Sequence, residues 1–154
     1  MVQHPLTLFR TLAIAEAISW TLLIGALILR ASTGWAPAVA IGGGIHGFIF
    51  LAFCATSVLI GLNNRWPIWV TVVTLVSAVI PYATVPAEVW LQRSGRLAAA
   101  WRLEQTDDPR DATATDRLMR WFLRRPWVLA ALIVVALVAL FTVLLIIGPP
   151  GGTR

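Results

Sequence analysis

Four stretches of this chain, residues 11–29, 35–62, 66–87 and 126–150, run apolar with almost no charge, and the polar residues collect between and after them. At about 1.5 Å per helical residue each is long enough to cross a hydrocarbon core of roughly 30 Å. Pro5 and Thr7 suit the start of a first helix. Ala31-Ser32-Thr33-Gly34 is a short turn leading to Pro37, so the first two runs form an antiparallel helical hairpin. Asn63, Asn64 and Pro67 stop the second helix and start the third, and Trp66 and Trp69 suit an interfacial aromatic belt. The third run carries Pro81 and Pro86, which predict kinked or unwound last turns. Pro126 and Trp127 open the fourth run, which Gly148-Pro149-Pro150-Gly151-Gly152 ends. The first run is read as a retained helix and not a removable leader, because it is too long for a signal core and contains Glu16.

One long polar segment interrupts this pattern, at residues 90–125. Trp90, Leu91, Ser94, Leu97, Ala98 and Trp101 recur there at intervals of three and four, with Arg93, Arg96 and Arg102 off that stripe, which predicts an amphipathic helix lying along the membrane surface. Thr106 to Asp111 breaks it, and a basic stretch from Asp116 to Arg125 leads into the fourth run. The expected architecture is an all-α polytopic membrane protein. It has a three-helix membrane core (6–89), a cytoplasmic basic linker carrying the interfacial helix (90–125), a fourth transmembrane helix (126–148) and a short tail (149–154).

Composition agrees with the pattern. Of 154 residues, 58% are hydrophobic and 12% charged, and the mean hydropathy is +0.81, values that exclude a soluble globule of this size. The 12 basic residues are all Arg, against seven acidic ones, so the net charge of +5 is permanent. Richness in Ala, Val and Arg without Lys also suggests a GC-rich bacterial genome. Because most Arg residues flank apolar runs, the partner they imply is a bilayer with anionic head groups and not nucleic acid. Arg93, Arg96, Arg102, Arg124 and Arg125 are the candidate head-group contacts. If all four runs cross, Arg30 and the eight Arg of the linker share one side, while Arg10, Arg65 and Arg154 fall on the other. The excess then places the linker in the cytoplasm and both termini outside the plasma membrane. The single cysteine, Cys54, excludes an internal disulfide.

Glu16 is the residue most in need of explanation, since a carboxylate deep in a transmembrane helix costs about 2.5–3.5 kcal/mol on insertion scales. Counting outward from Thr33, Glu16 lies 17 residues before and His46 13 after. That difference corresponds to about 6 Å of depth, close enough for the two side chains to meet across the hairpin. Ser19 and Trp20 share the Glu16 face and could donate to its carboxylate. The run Gly42-Gly43-Gly44-Ile45-His46-Gly47 includes a Gly43-xxx-Gly47 spacing suited to close helix packing. The cluster reads either as a hydrogen-bonded pair that locks the hairpin or as a proton or ligand site. His4 and His46 are too far apart to share a metal, and no cofactor or catalytic motif is present, so neither metal, cofactor nor enzymatic activity is expected. Asp107, Asp108 and Asp111 read as a solvated turn, and Glu88 as an interfacial ion-pair partner of the nearby Arg93.

Phe9-Arg10, Ala15-Glu16 with Ser19, Gly44-Ile45-His46-Gly47-Phe48-Ile49-Phe50, Trp66, and Ile80-Pro81-Tyr82 with Glu88 together give residues 9–93 a family likeness. They resemble the small bacterial, mainly actinobacterial, membrane proteins grouped as domain of unknown function 3817. The chain departs from that pattern at Ala17, where the family has Gly. The resemblance implies a bacterial plasma-membrane location and a three-helix core in which Pro81 helps the packing, with the linker and fourth helix as an extension; it implies no activity. The expected role is a non-catalytic accessory or interaction subunit of an inner-membrane assembly, working with a membrane-protein partner or as a homo-oligomer. The alternative is a small transporter or ligand-binding protein using Glu16 and His46.

Overall fold

The computed structural model describes residues 4–97 and 100–147, and among these it is all-helical, with six α-helices and no strand. Helix α1 spans Pro5–Thr33 and α2 spans Pro37–Asn63. Both begin on a proline, whose missing N–H is harmless in a first turn. Gly34 ends α1 in the left-handed conformation (φ +74°), its N–H bonded to Arg30 O at 2.9 Å. Both helices have a mean hydropathy of 2.1 and the length to cross a membrane. They pack antiparallel, as the turn between them requires.

We call the end of the bundle where α1 begins proximal and the end at Gly34 distal. The buried apolar core lies in the proximal half, where Phe9 stacks on Phe53 with ring centroids 5.2 Å apart and meets the edge of Trp66 at 6.5 Å. Ala13, Ile60, Val70, Ala78 and Leu91 complete it.

The third apolar run does not form one traversing helix. Helix α3 (Ile68–Val79) enters from the proximal end until Ala78 O lies 3.3 Å from Trp20 Nε1. The chain then turns through Ile80-Pro81-Tyr82-Ala83, with Tyr82 held at φ +66°. Helix α4 (Thr84–Arg93) returns along α1: Thr84 Oγ1 donates to Ala13 O at 2.9 Å, Arg10 Nε bonds Glu88 at 3.0 Å, and Arg10 Nη2 bonds Gln92 at 2.6 Å. Successive α4 residues therefore meet earlier α1 residues, and α4 leaves at the end where α3 entered. Pro81 cannot continue α3 and faces outward at the turn, so its role is to break the helix and not to pack helices. Pro86 falls in the first turn of α4, where no N–H is needed. This corrects the expected side assignment. Arg10, Arg65 and the linker all lie at the proximal end, and Glu88 pairs with Arg10 rather than Arg93.

The expected amphipathic helix over 90–101 also gives way. Ser94 and Gly95 (φ +66°) end α4, the chain from Arg96 to Asp108 is irregular where described, and Ala98 lies outside the described residues. The amphipathic helix is α5 (Ala114–Arg124), capped by Thr113, whose side-chain oxygen accepts from Asp116 N at 3.3 Å. Met119 and Leu123 are buried on its inner face. Helix α6 (Pro126–Ile147) then runs from the proximal end alongside α2, with Leu132, Ile133 and Ala136 near Cys54 and Phe50. The 149–154 tail lies outside the described residues.

Candidate functional site

Glu16 is completely buried among α1, α2 and the α3–α4 hairpin. One turn on, Ser19 Oγ lies 2.9 Å from Glu16 O, 3.2 Å from Glu16 Oε2 and 2.9 Å from His46 Nδ1. Direct Oε2–Nδ1 separation is 3.8 Å, too long for a hydrogen bond, so the serine hydroxyl links the carboxylate to the imidazole. Ser19 has one hydrogen. With the Nδ1–H tautomer, imidazole donates to Ser19 and Ser19 donates to Glu16, giving a continuous chain across the hairpin. Glu16 Oε1 is buried with no hydrogen-bond partner among the described residues.

Trp20 belongs to the cluster in a different way from the one its spacing suggests. Its ring packs on His46 with centroids 4.4 Å apart, and its N–H serves Ala78 O, a last-turn carbonyl of α3 freed by the break at Ile80. Thr84 likewise joins α4 to Ala13 O. The α3–α4 hairpin is thus fastened to α1 by polar bonds on both sides of its turn.

The close approach of α1 and α2 falls one residue earlier than expected. A Cβ at Gly42 would sit 2.8 Å from Ala26 Cβ and 3.3 Å from Leu22 O, whereas at Gly43 the nearest contact, Leu23 Cδ1, is 4.0 Å away. Gly47 is half-buried.

At the proximal end, Asp111 is buried and not solvated. It accepts from Thr106 N and Oγ1 at 2.9 and 2.7 Å, from Arg65 at 2.5 Å and from Arg102 at 2.7 Å. Arg65 also pairs with Asp108. Arg102 turns inward rather than toward lipid: it donates to Leu62 O at 2.9 Å and Asn63 O at 2.6 Å, satisfying carbonyls at the end of α2. Arg96 stacks over Trp69 and Trp90 at 5.6 and 5.1 Å, and Arg125 over Trp121 at 5.2 Å. Arg93 is exposed, and Arg124 bonds Leu103 O at 2.8 Å. The local charge pattern of 107–111 hides the Asp111 clamp, because its partners come from turns remote in sequence.

The hydroxyl and amide of Thr106, then Arg65 and Arg102, hold the Asp111 carboxyl down at about 2 from its ordinary 3.8, against the opposing effect of burial. A depressed folded-state pKa means that this contribution is in place above 3.8 and fades as pH falls toward 2. Backbone amides of residues 102–113 in reconstituted protein should therefore stay protected from exchange down to about pH 4 and lose protection below it. Protection independent of pH down to 2, after correction for intrinsic exchange, would dismiss the carboxylate as the clamp.

Long apolar helices packed with shorter ones around a buried polar cluster define an all-α integral membrane protein. Residues 6–93 match the family model described as Domain of unknown function (DUF3817), more than half of the chain, and the chain belongs to that family. The match ends where α4 ends, so the family core is α1 to α4. A Streptomyces coelicolor protein named as a membrane protein, SCO5905, is 32% identical over 91 residues, covering 58% of this chain and 11% of that protein. The chain thus spans about a tenth of the length of this curated relative. No solved structure matches. Among the described residues, no three His, Cys, Asp or Glu side chains gather as a metal site would require.

Proposed function

We propose that this protein is a non-catalytic subunit that works by associating with another membrane protein. In this reading α1, α2 and α6 cross the plasma membrane, while α3 and α4 form a re-entrant hairpin that enters and leaves on one side. The observation that carries it is the turn Ile80-Pro81-Tyr82-Ala83. It sits at the depth of Ala13 to Thr21, well inside the bundle's length, and Ile80 and Tyr82 are about half exposed. Non-helical backbone at membrane depth is tolerated where protein covers it or where it lines a water-filled cavity. This apolar turn, with Ile80, Pro81 and Tyr82 outward, suits a protein cover. That the similar stretch is a small part of a longer chain in the Streptomyces relative fits a module working beside other segments.

Ten Arg residues, Arg10, Arg65, Arg93, Arg96, Arg102, Arg110, Arg117, Arg120, Arg124 and Arg125, belong to the proximal end, against Arg30 near the distal end. The positive-inside tendency then makes the proximal end cytoplasmic, with residue 4 inside and Ile147 outside. The Glu16, Ser19 and His46 geometry supports the absence of catalysis. In a Ser-His-acid triad the serine and the acid engage different imidazole nitrogens, whereas here both stand at Nδ1.

A photo-crosslinking amino acid at Tyr82 tests the association in cells, alongside a phosphatase fused after Ile147 to report the side. The expected result is a crosslinked protein adduct and an active external phosphatase. Adducts with lipid alone, or a monomer without companions in mild detergent, would overturn the association reading.

The unpartnered Glu16 Oε1 favours one second reading, a proton-linked ligand site at Glu16, Ser19 and His46. Under it, the same residues would be dispensable for folding but required for a pH-dependent transport signal.

A further inference from the structure

Where α5 meets the start of α6, a cavity of about 440 Å³ is lined by Arg117, Arg120, Arg124, Arg125, Trp121 and Gln105. Four guanidinium groups face it and no carboxylate does. The ion pairs among the described residues engage Arg10, Arg65 and Arg102; none reaches these four. Like charges gathered without a counter-ion repel one another, and the repulsion is least screened where a group is buried.

Arg120 is that group. It is 7% exposed, its Nη2 bonds Asp111 O at 2.5 Å, and its Nη1 is buried with no hydrogen-bond partner. A buried guanidinium nitrogen without an acceptor is a deficit that an anion in the adjoining cavity can relieve. Arg117 and Arg124 follow Arg120's helical face at spacings of three and four, and Arg125 is steadied at the rim by Trp121 at 5.2 Å.

The setting selects among anions. Pro126 and the largely exposed Trp127 begin the apolar helix α6 directly beside the cavity, which puts the guanidiniums at head-group level. Against another face of α5, an apolar crevice of about 320 Å³ is lined by Val58, Leu62, Leu118, Phe122 and Leu129. A free phosphate would use the cavity alone, whereas a glycerophospholipid brings a phosphate and acyl chains together. We propose that Arg117, Arg120, Arg124 and Arg125 form a head-group pocket for an anionic glycerophospholipid of the leaflet next to the linker. The inference is independent of the association reading, because it concerns only α5, α6 and the bilayer.

Native mass spectrometry of the full chain released from mixed phosphatidylcholine and phosphatidylglycerol nanodiscs tests it. The chain should retain phosphatidylglycerol in preference to phosphatidylcholine. Arg117→Gln or Arg125→Gln should each weaken retention roughly fivefold, and the pair about twenty- to thirtyfold. Arg93→Gln, an exposed arginine outside the pocket, should leave it unchanged. Arg120→Gln should lose the most; if it does not fold, the rim pair decides. Equal losses in Arg93→Gln and in the rim pair would overturn the pocket in favour of diffuse surface charge. Displacement of the lipid by millimolar inorganic phosphate would overturn the lipid in favour of a soluble anion.

Discussion

Leucine at position 42 will separate α1 from α2. The first carbon of any side chain there meets Ala26 Cβ at 2.8 Å and the Leu22 carbonyl at 3.3 Å, and neither is the free end of a flexible group. Overpacking of this kind costs about 1–3 kcal/mol for added methyl or methylene groups in a packed site, and more when backbone must move. Gly42→Ala should therefore lose about 1–2 kcal/mol of unfolding free energy in detergent, even after the helix-propensity gain of about 1 kcal/mol that alanine brings. Gly42→Leu should abolish the folded hairpin. Gly43→Ala, with its nearest contact at 4.0 Å, should keep the propensity gain and come out neutral to stabilising. Identical behaviour of the two alanine variants in thermal unfolding would refute the placement of the contact.

The second large effect is expected at the polar chain. His46→Leu leaves the Glu16 carboxyl dependent on Ser19 alone in a site that water does not reach, an orphaning that costs about 1–3 kcal/mol for a neutral group and about 3–5 kcal/mol for an ionised one. Glu16→Leu removes the other end of the chain. Because the two side chains act through one hydroxyl, the double variant should be more stable than the sum of the single losses predicts, by about 1–3 kcal/mol. Strict additivity would show that the groups are not coupled. Singles that fold normally yet lose a pH-dependent signal would instead support the ligand-site reading.

How legible these features were in the sequence depends on how far apart their causes lie. Helices α1 and α2, their turn at Gly34, and the meeting of Glu16 with His46 follow from local hydropathy, a proline, a glycine and a count of residues from one turn. Which of the adjacent glycines faces α1 depends on helix rotation, so Gly42 was not distinguishable from Gly43 by spacing. An apolar run such as 66–87 has the length to cross the membrane, and hydropathy is the same whether the chain runs on or doubles back. Pro81 signalled a break, but the reversal depends on bonds from Trp20, Arg10 and Thr84 that no local pattern encodes. Asp111 was hidden for the same reason: its partner Arg65 is 46 residues away. The amphipathic segment was placed too early because the three-and-four spacing of 90–101 continues past Ser94 and Gly95, which end the helix. Thr113 and Asp116, a capping pair, marked the actual start.

The hairpin of α3 and α4 also fixes a parity. From Pro5 to Arg93 the family core makes one excursion to the distal end and one partial excursion, and both return, so its entrance and exit lie on the same face. A module with that property can be joined at either end without inverting its neighbours, since whatever precedes it and whatever follows it remain in the same compartment. Had the third run crossed, every attachment would have forced the two flanking segments apart.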